Sequence, residues 1–214
     1  MRAAIWIAVT GAFAALNFYA AATADGEREQ DAVYSYELLV GAVVAYGLLL
    51  VFVIAITSGL SRRDVLALRP PPSWWRALGL SAGAVVVILL GAYVALTLAG
   101  AGDEQNLTPE DWDASRAGPY AASFVAIVFI GPTVEELLYR GAGLALLEPY
   151  GRGAAVAVTA VLFGLGHGLP LSLGAFIWFG LVVALVRLRT KSLYPGILVH
   201  ATFNALGMTV PLFV

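Results

Sequence analysis

The chain has 214 residues, 60% of them hydrophobic and 12% charged, with a mean hydropathy of +0.86 and a formal net charge of −2. Soluble domains carry roughly 25% charged residues, so this composition excludes an ordinary soluble fold and predicts one all-α polytopic membrane bundle. Cysteine is absent, which excludes disulfides, thiolate metal centres and a cysteine nucleophile.

Hydropathy predicts about seven transmembrane spans, at residues 3–22, 38–57, 77–99, 117–147, 154–167, 171–186 and 193–213. Arg2, the apolar stretch and the small residues Ala22 and Ala24 resemble a secretory signal; the length of the stretch favours an uncleaved first helix. Between the second and third spans, Pro70, Pro71 and Pro72 form a stiff link to Trp74, Trp75 and Arg76, an expected interfacial anchor. The fifth and sixth spans, at about 14 to 16 residues, fall below the usual range of roughly 17 to 25 and are expected to be tilted, re-entrant or buried. Gly168, Leu169 and Pro170 break the chain between them.

If the seven spans alternate, Arg2, Arg62, Arg63, Arg69, Arg76, Arg152, Arg187, Arg189 and Lys191 share one side. Asp25, Glu27, Glu29, Asp31, Glu37, Asp103, Glu104, Glu110, Asp111 and Asp113 share the other. The positive-inside rule then makes the N-terminus cytoplasmic. Two parts are expected: residues 1–116, three N-terminal helices with acidic exterior loops, and residues 117–214, a four-helix membrane core. No inverted repeat of the transporter kind is found.

Glu135 and Glu136 stand side by side within the fourth span. A charge at bilayer depth costs at least about 2.5–3.5 kcal/mol on insertion scales, so such residues face a cavity or a partner. Pro132 has no N–H, and a kink or restart is expected one turn before the acids. Glu136 and Arg140 are spaced i, i+4 and can pair on one helix face. Glu135 points about 100° away, toward another partner. The chain's two histidines lie in later spans: Phe163 and His167 share one face among Gly164, Gly166 and Gly168, and His200 stands one turn before Asn204. Each feature alone has a structural explanation in an ion pair or interhelical hydrogen bonding.

Taken together, Glu135-Glu136-Leu-Leu-Tyr-Arg140, Phe163-Gly-Leu-Gly-His167 and His200-Ala-Thr-Phe-Asn204 resemble the three ordered motifs E-E-x-x-x-R, F-x-x-x-H and H-x-x-x-N. These mark the CAAX prenyl protease and bacteriocin-processing family of intramembrane proteases, also called the Abi family. The resemblance covers about residues 117–213, with Tyr139 where the family commonly has Phe. It implies an intramembrane endopeptidase of a prokaryotic cell membrane. In that reading Glu135 and His167 hold and activate water, His200 and Asn204 donate to the oxyanion, and Glu136 with Arg140 braces the helix.

The implied partners are membrane lipids and a peptide or lipidated peptide, with prenylated CAAX-type C-termini as one substrate class, and no nucleic acid. No cofactor is expected from the family, although Glu135, His167 and His200 could also make a catalytic zinc set. A non-proteolytic scaffold or immunity protein of the same family, or a proton-coupled transporter using the buried Glu and His as a relay, are the competing readings. Counting residues from the cytoplasmic helix ends predicts a cavity that opens toward the cytoplasm, with His167 too deep to agree with the other groups.

Overall fold

The computed structural model describes residues 1–23, 32–101 and 112–210, and among these the secondary structure is helical, with no strand. The elements are α1 (Arg2–Thr23), α2 (Tyr36–Ile56), the short α3 (Arg62–Val65), α4 (Trp74–Ala99), the long α5 (Ala114–Tyr150), α6 (Arg152–Leu165), α7 (Leu173–Thr190) and α8 (Tyr194–Thr209). Local chemistry sets several boundaries. Ser35 accepts from Leu38 N at the start of α2, and Gly100 closes α4 in the left-handed conformation at φ 64°. Before α5, Asp113 accepts from Ser115 and Arg116, which lowers its carboxyl to about 2. Pro195 opens α8, where a missing N–H costs nothing.

Five helices, α1, α2, α4, α5 and α7, are long and apolar enough to cross a membrane. The expectation of about seven spans is confirmed for these five only: α6 has 14 residues and the described part of α8 has 16. At about 1.5 Å per residue they reach roughly 21 and 24 Å, short of a hydrocarbon core of about 30 Å. Both are packed among the longer helices. The Cβ that Gly180 of α7 lacks would lie 2.9 Å from Ala160 Cα of α6, so only glycine permits this approach. Ala24, the acidic residues 25–31, 103, 104, 110 and 111, and the end of the seventh expected span lie outside the described residues.

Successive helices run in opposite directions, and hydrogen bonds tie their ends into two faces. On one face Arg2 donates to Ser58 O at 2.8 Å, Leu193 N to Ala67 O at 3.1 Å, and Arg69 Nε to Lys191 O at 2.9 Å. On the other, Asp113 N donates to the Tyr34 hydroxyl at 3.2 Å, Tyr120 to Met208 O at 2.8 Å, and Asn17 to Gly166 O. Among the described residues, the first face carries Lys191 and the arginines other than Arg116, which lies on the second face, and Arg140, which is buried.

Helix α5 passes through Pro132 without restarting. It widens instead into π-helical turns at Ala126–Ile130 and Glu136–Gly143, either side of an α-helical turn at Gly131–Glu135. Gly131 N–H returns to Ala126 O, five residues back. Pro132 has no N–H to give the next carbonyl, Ile127 O, and Asn204 Nδ2 of α8 donates to it at 2.8 Å. The core gathers round this helix: Trp6 of α1 is fully buried and donates to Leu138 O at 3.1 Å, filling the space left by Gly143.

Candidate active site

Helical spacing separates the two acids. Glu136 is fully buried, and its Oε1 accepts from Arg140 Nη1 at 3.0 Å and from His200 Nδ1 at 3.0 Å. The expected Glu136–Arg140 pair is therefore present, with His200 as a third member. Arg140 is also fully buried, its guanidinium carbon 4.2 Å from the centre of the Phe163 ring. Gly196 lets α8 come close here, since a Cβ at that position would lie 3.2 Å from Glu136 Oε2.

Glu135 has different surroundings. Its Oε1 accepts from the Tyr46 hydroxyl of α2 at 3.0 Å, and its Oε2 stands 3.8 Å from His200 Nε2 with no hydrogen-bonding partner in the protein. His200 thus lies between the two carboxylates, one nitrogen toward each. A carboxylate accepts only, so the contact with Glu136 assigns a proton to Nδ1 and turns Nε2 toward Glu135.

His167 ends α6. Its Nδ1 lies 2.8 Å from Phe163 O, which can only accept, so Nδ1 carries the proton and Nε2 is left as an acceptor. The ring stacks on Phe176 with centroids 3.8 Å apart. Phe163 joins the set, its ring meeting those of Tyr139, His167, Phe179 and His200. The three glycines expected to leave space around His167 are filled by helix packing: Gly164 faces Ile177, Gly166 the Tyr139 hydroxyl, and Gly168 the Asn17 backbone. Asn204 spends one amide hydrogen on Ile127 O rather than holding it free for an oxyanion.

Glu135, His167, His200 and Asn204 all line one cavity of about 690 Å³. Its walls come from both sides of the expected division at residue 116, since Phe13, Asn17, Tyr46 and Leu49 contribute as well. Among the described residues no three His, Asp or Glu side chains are grouped as metal ligands; Glu135, His167 and His200 share the cavity without forming such a set. The cavity does not open toward the basic face, as counting from the helix ends had suggested. Its wall climbs through Gly41, Leu38 and Glu37 at the start of α2 and Gly207 and Met208 at the end of α8, away from the arginines. His167 sits at that outer end of α6, which resolves its depth: it stands above the Glu135–His200 pair.

Two residues at this site were not identified from sequence. Tyr46 is a hydroxyl within an apolar span, and Asn17 is an amide within another; a lone polar group in such a run was the available signal.

A search of curated proteins and a search of solved structures gave no match. The sequence profile of the Rce1-like family, type II CAAX prenyl endopeptidases, matches residues 117–206. That segment holds all three motifs and the candidate site residues other than Tyr46 and Asn17. Over that segment the chain is similar to the CAAX prenyl protease and Abi family of intramembrane proteases, and the match supports the resemblance carried by the three motifs.

Proposed function

We propose that the chain is an integral membrane endopeptidase that hydrolyses a peptide bond with water activated by Glu135. The observation that carries this reading is the unpartnered Glu135 Oε2, 3.8 Å from His200 Nε2 inside a cavity large enough for a peptide segment. At that separation a water to one side of the line joining the two atoms can reach both at about 2.8 Å.

In this reading Glu135 takes one proton from water, and the resulting hydroxide attacks the scissile carbonyl carbon. The negative charge on the carbonyl oxygen is met by an Nε2–H of His200, whose ring is held in place by the Nδ1 hydrogen bond to Glu136. The C–N bond then breaks as Glu135 passes its proton to the leaving nitrogen, so water is divided between acid and amine. His167 offers Nε2 to water or to a substrate N–H. Asn204 acts through Ile127, holding open the widened turn that precedes Glu135.

Prenylated C-terminal peptides are one substrate class that the family match supports. The test is to incubate purified protein with prenylated and unprenylated peptides, comparing wild type with Glu135→Ala and His200→Ala. Cleavage lost in both variants is the expected result, and equal cleavage by all three proteins would refute the assignment. Binding without cleavage by wild type would instead identify a non-proteolytic family member. Activity that survives exhaustive chelation removes the zinc alternative.

A further inference from the structure

We infer that the cavity receives its peptide from the non-cytoplasmic side of the membrane. The inference rests on the peptidase reading for what enters the cavity, and on two independent observations for where it enters. The first is the course of the wall: the floor is Glu135, Tyr46 and His200, and the rim is Asn17 late in α1, Glu37 and Gly41 early in α2, and Gly207 late in α8. Hydrogen bonds from Asn17 to Gly166, Tyr120 to Met208 and Asp113 to Tyr34 fix these helix ends on one face.

The second observation is the charge on the opposite face. Arg2, Arg62, Arg63, Arg69, Arg76, Arg152, Arg187, Arg189 and Lys191 all stand at helix ends or connections there. Lys and Arg close to span ends orient a membrane protein with that face in the cytoplasm. On the rim face the described charged residues are Glu37, Asp113 and Arg116, the last paired with Asp113. Below the floor, the fully buried Glu136, Arg140 and Leu138 close the path from the basic face.

The substrate class follows from the dimensions. Tyr46 stands ten residues into α2, so Glu135 lies roughly 15 Å below the rim at about 1.5 Å per residue. An extended strand rises about 3.3 Å per residue, so about five unfolded residues must separate the scissile bond from any folded part of the substrate outside the cavity. The substrate is thus an unstructured peptide presented outside the cytoplasm, either a free secreted peptide or the outer flank of a membrane-anchored chain. A cytoplasmic C-terminal tail would meet the closed floor, so this route of entry selects peptides outside the cytoplasm over the prenylated cytoplasmic tails named above.

The natural absence of cysteine makes a direct test available. Gly41 and Gly207 line the cavity and Gly153 lies at the basic end of α6; a Cβ at each meets no atom within 4 Å, so cysteine fits without rearrangement. Each single-cysteine variant, in right-side-out membrane vesicles, is treated with a membrane-impermeant sulfonated maleimide, then denatured and exposed to maleimide–polyethylene glycol. Gly41→Cys and Gly207→Cys should lose the later gel shift, whereas Gly153→Cys should keep it until the vesicles are permeabilised. A full shift retained by both cavity variants in sealed vesicles, or loss of the shift by Gly153→Cys there, overturns the inference. Labelling does not depend on catalysis, so a protein that labels as expected yet cleaves no peptide in detergent refutes only the peptidase reading.

Discussion

Replacing Glu136 separates its two contacts, because this one carboxylate oxygen serves both a structural cation and a histidine of the site. Glu136→Gln keeps shape and an acceptor but removes the charge beside Arg140, a guanidinium with no exposed surface. At 3.0 Å and an effective dielectric constant of about 20, the attraction alone is about 5.5 kcal/mol before desolvation is counted. Removing one member of such a buried pair typically costs about 3–5 kcal/mol, since the other charge is left uncompensated. A double variant, Glu136→Leu with Arg140→Leu, removes both charges and should recover most of that loss. Thermal unfolding of the purified proteins in detergent measures the first part, and peptide cleavage the second. The double variant should be stable and inactive, because His200 Nδ1 has then lost its acceptor. Cleavage by the double variant at the wild-type rate would refute the claim that Glu136 orients His200, and an unchanged melting temperature in Glu136→Gln would refute the energetic argument.

Glu135→Gln should abolish cleavage while leaving thermal unfolding near that of wild type, and activity retained in that variant would remove Glu135 as the base. Tyr46→Phe removes a 3.0 Å hydrogen bond to Glu135; bonds to charged groups are worth about 1.5–3 kcal/mol, so kcat should fall by about tenfold or more with KM little changed. An equal rise in KM with constant kcat would show that Tyr46 binds substrate instead of positioning the base. Asn204→Ala leaves Ile127 O without its donor and should lower stability by about 1–3 kcal/mol in the same unfolding assay. Gly180→Val forces a branched side chain against the Ala160 backbone, and a melting temperature equal to wild type would contradict the close α6–α7 packing.

The membrane class, the approximate extent of α2 and α4, and the pairing of Glu136 with Arg140 were legible because each follows from local pattern: hydropathy and i, i+4 spacing. What was not legible depends on tertiary packing. His200 reaches Glu136 across 64 residues of sequence, and no spacing rule reports a contact between helices so far apart. The span count is confirmed for five helices only, for a related reason: hydropathy alone does not distinguish whether the shorter α6 and α8 face protein or lipid. The direction of the cavity was misjudged because depth was counted from one end of each helix. An open wall depends on which helices leave a gap, and that gap lies between the outer parts of α2 and α8.

The behaviour of α5 at Pro132 connects this packing to the chemistry. A proline within a span removes a donor, and the orphaned carbonyl must find another or bear a cost of about 1–3 kcal/mol. The chain supplies that donor from Asn204, one turn beyond His200 on the same helix. Satisfying the proline defect therefore sets the height of α8 against α5, and with it the position of His200 between Glu135 and Glu136. The H-x-x-x-N spacing gains a physical meaning from this arrangement. Asn204 fixes the register, and four residues earlier the imidazole arrives with one nitrogen 3.0 Å from the structural carboxylate and the other 3.8 Å from the one that lines the cavity. Moving the asparagine by one residue would turn it about 100° around α8, leaving either the carbonyl or the histidine without its partner.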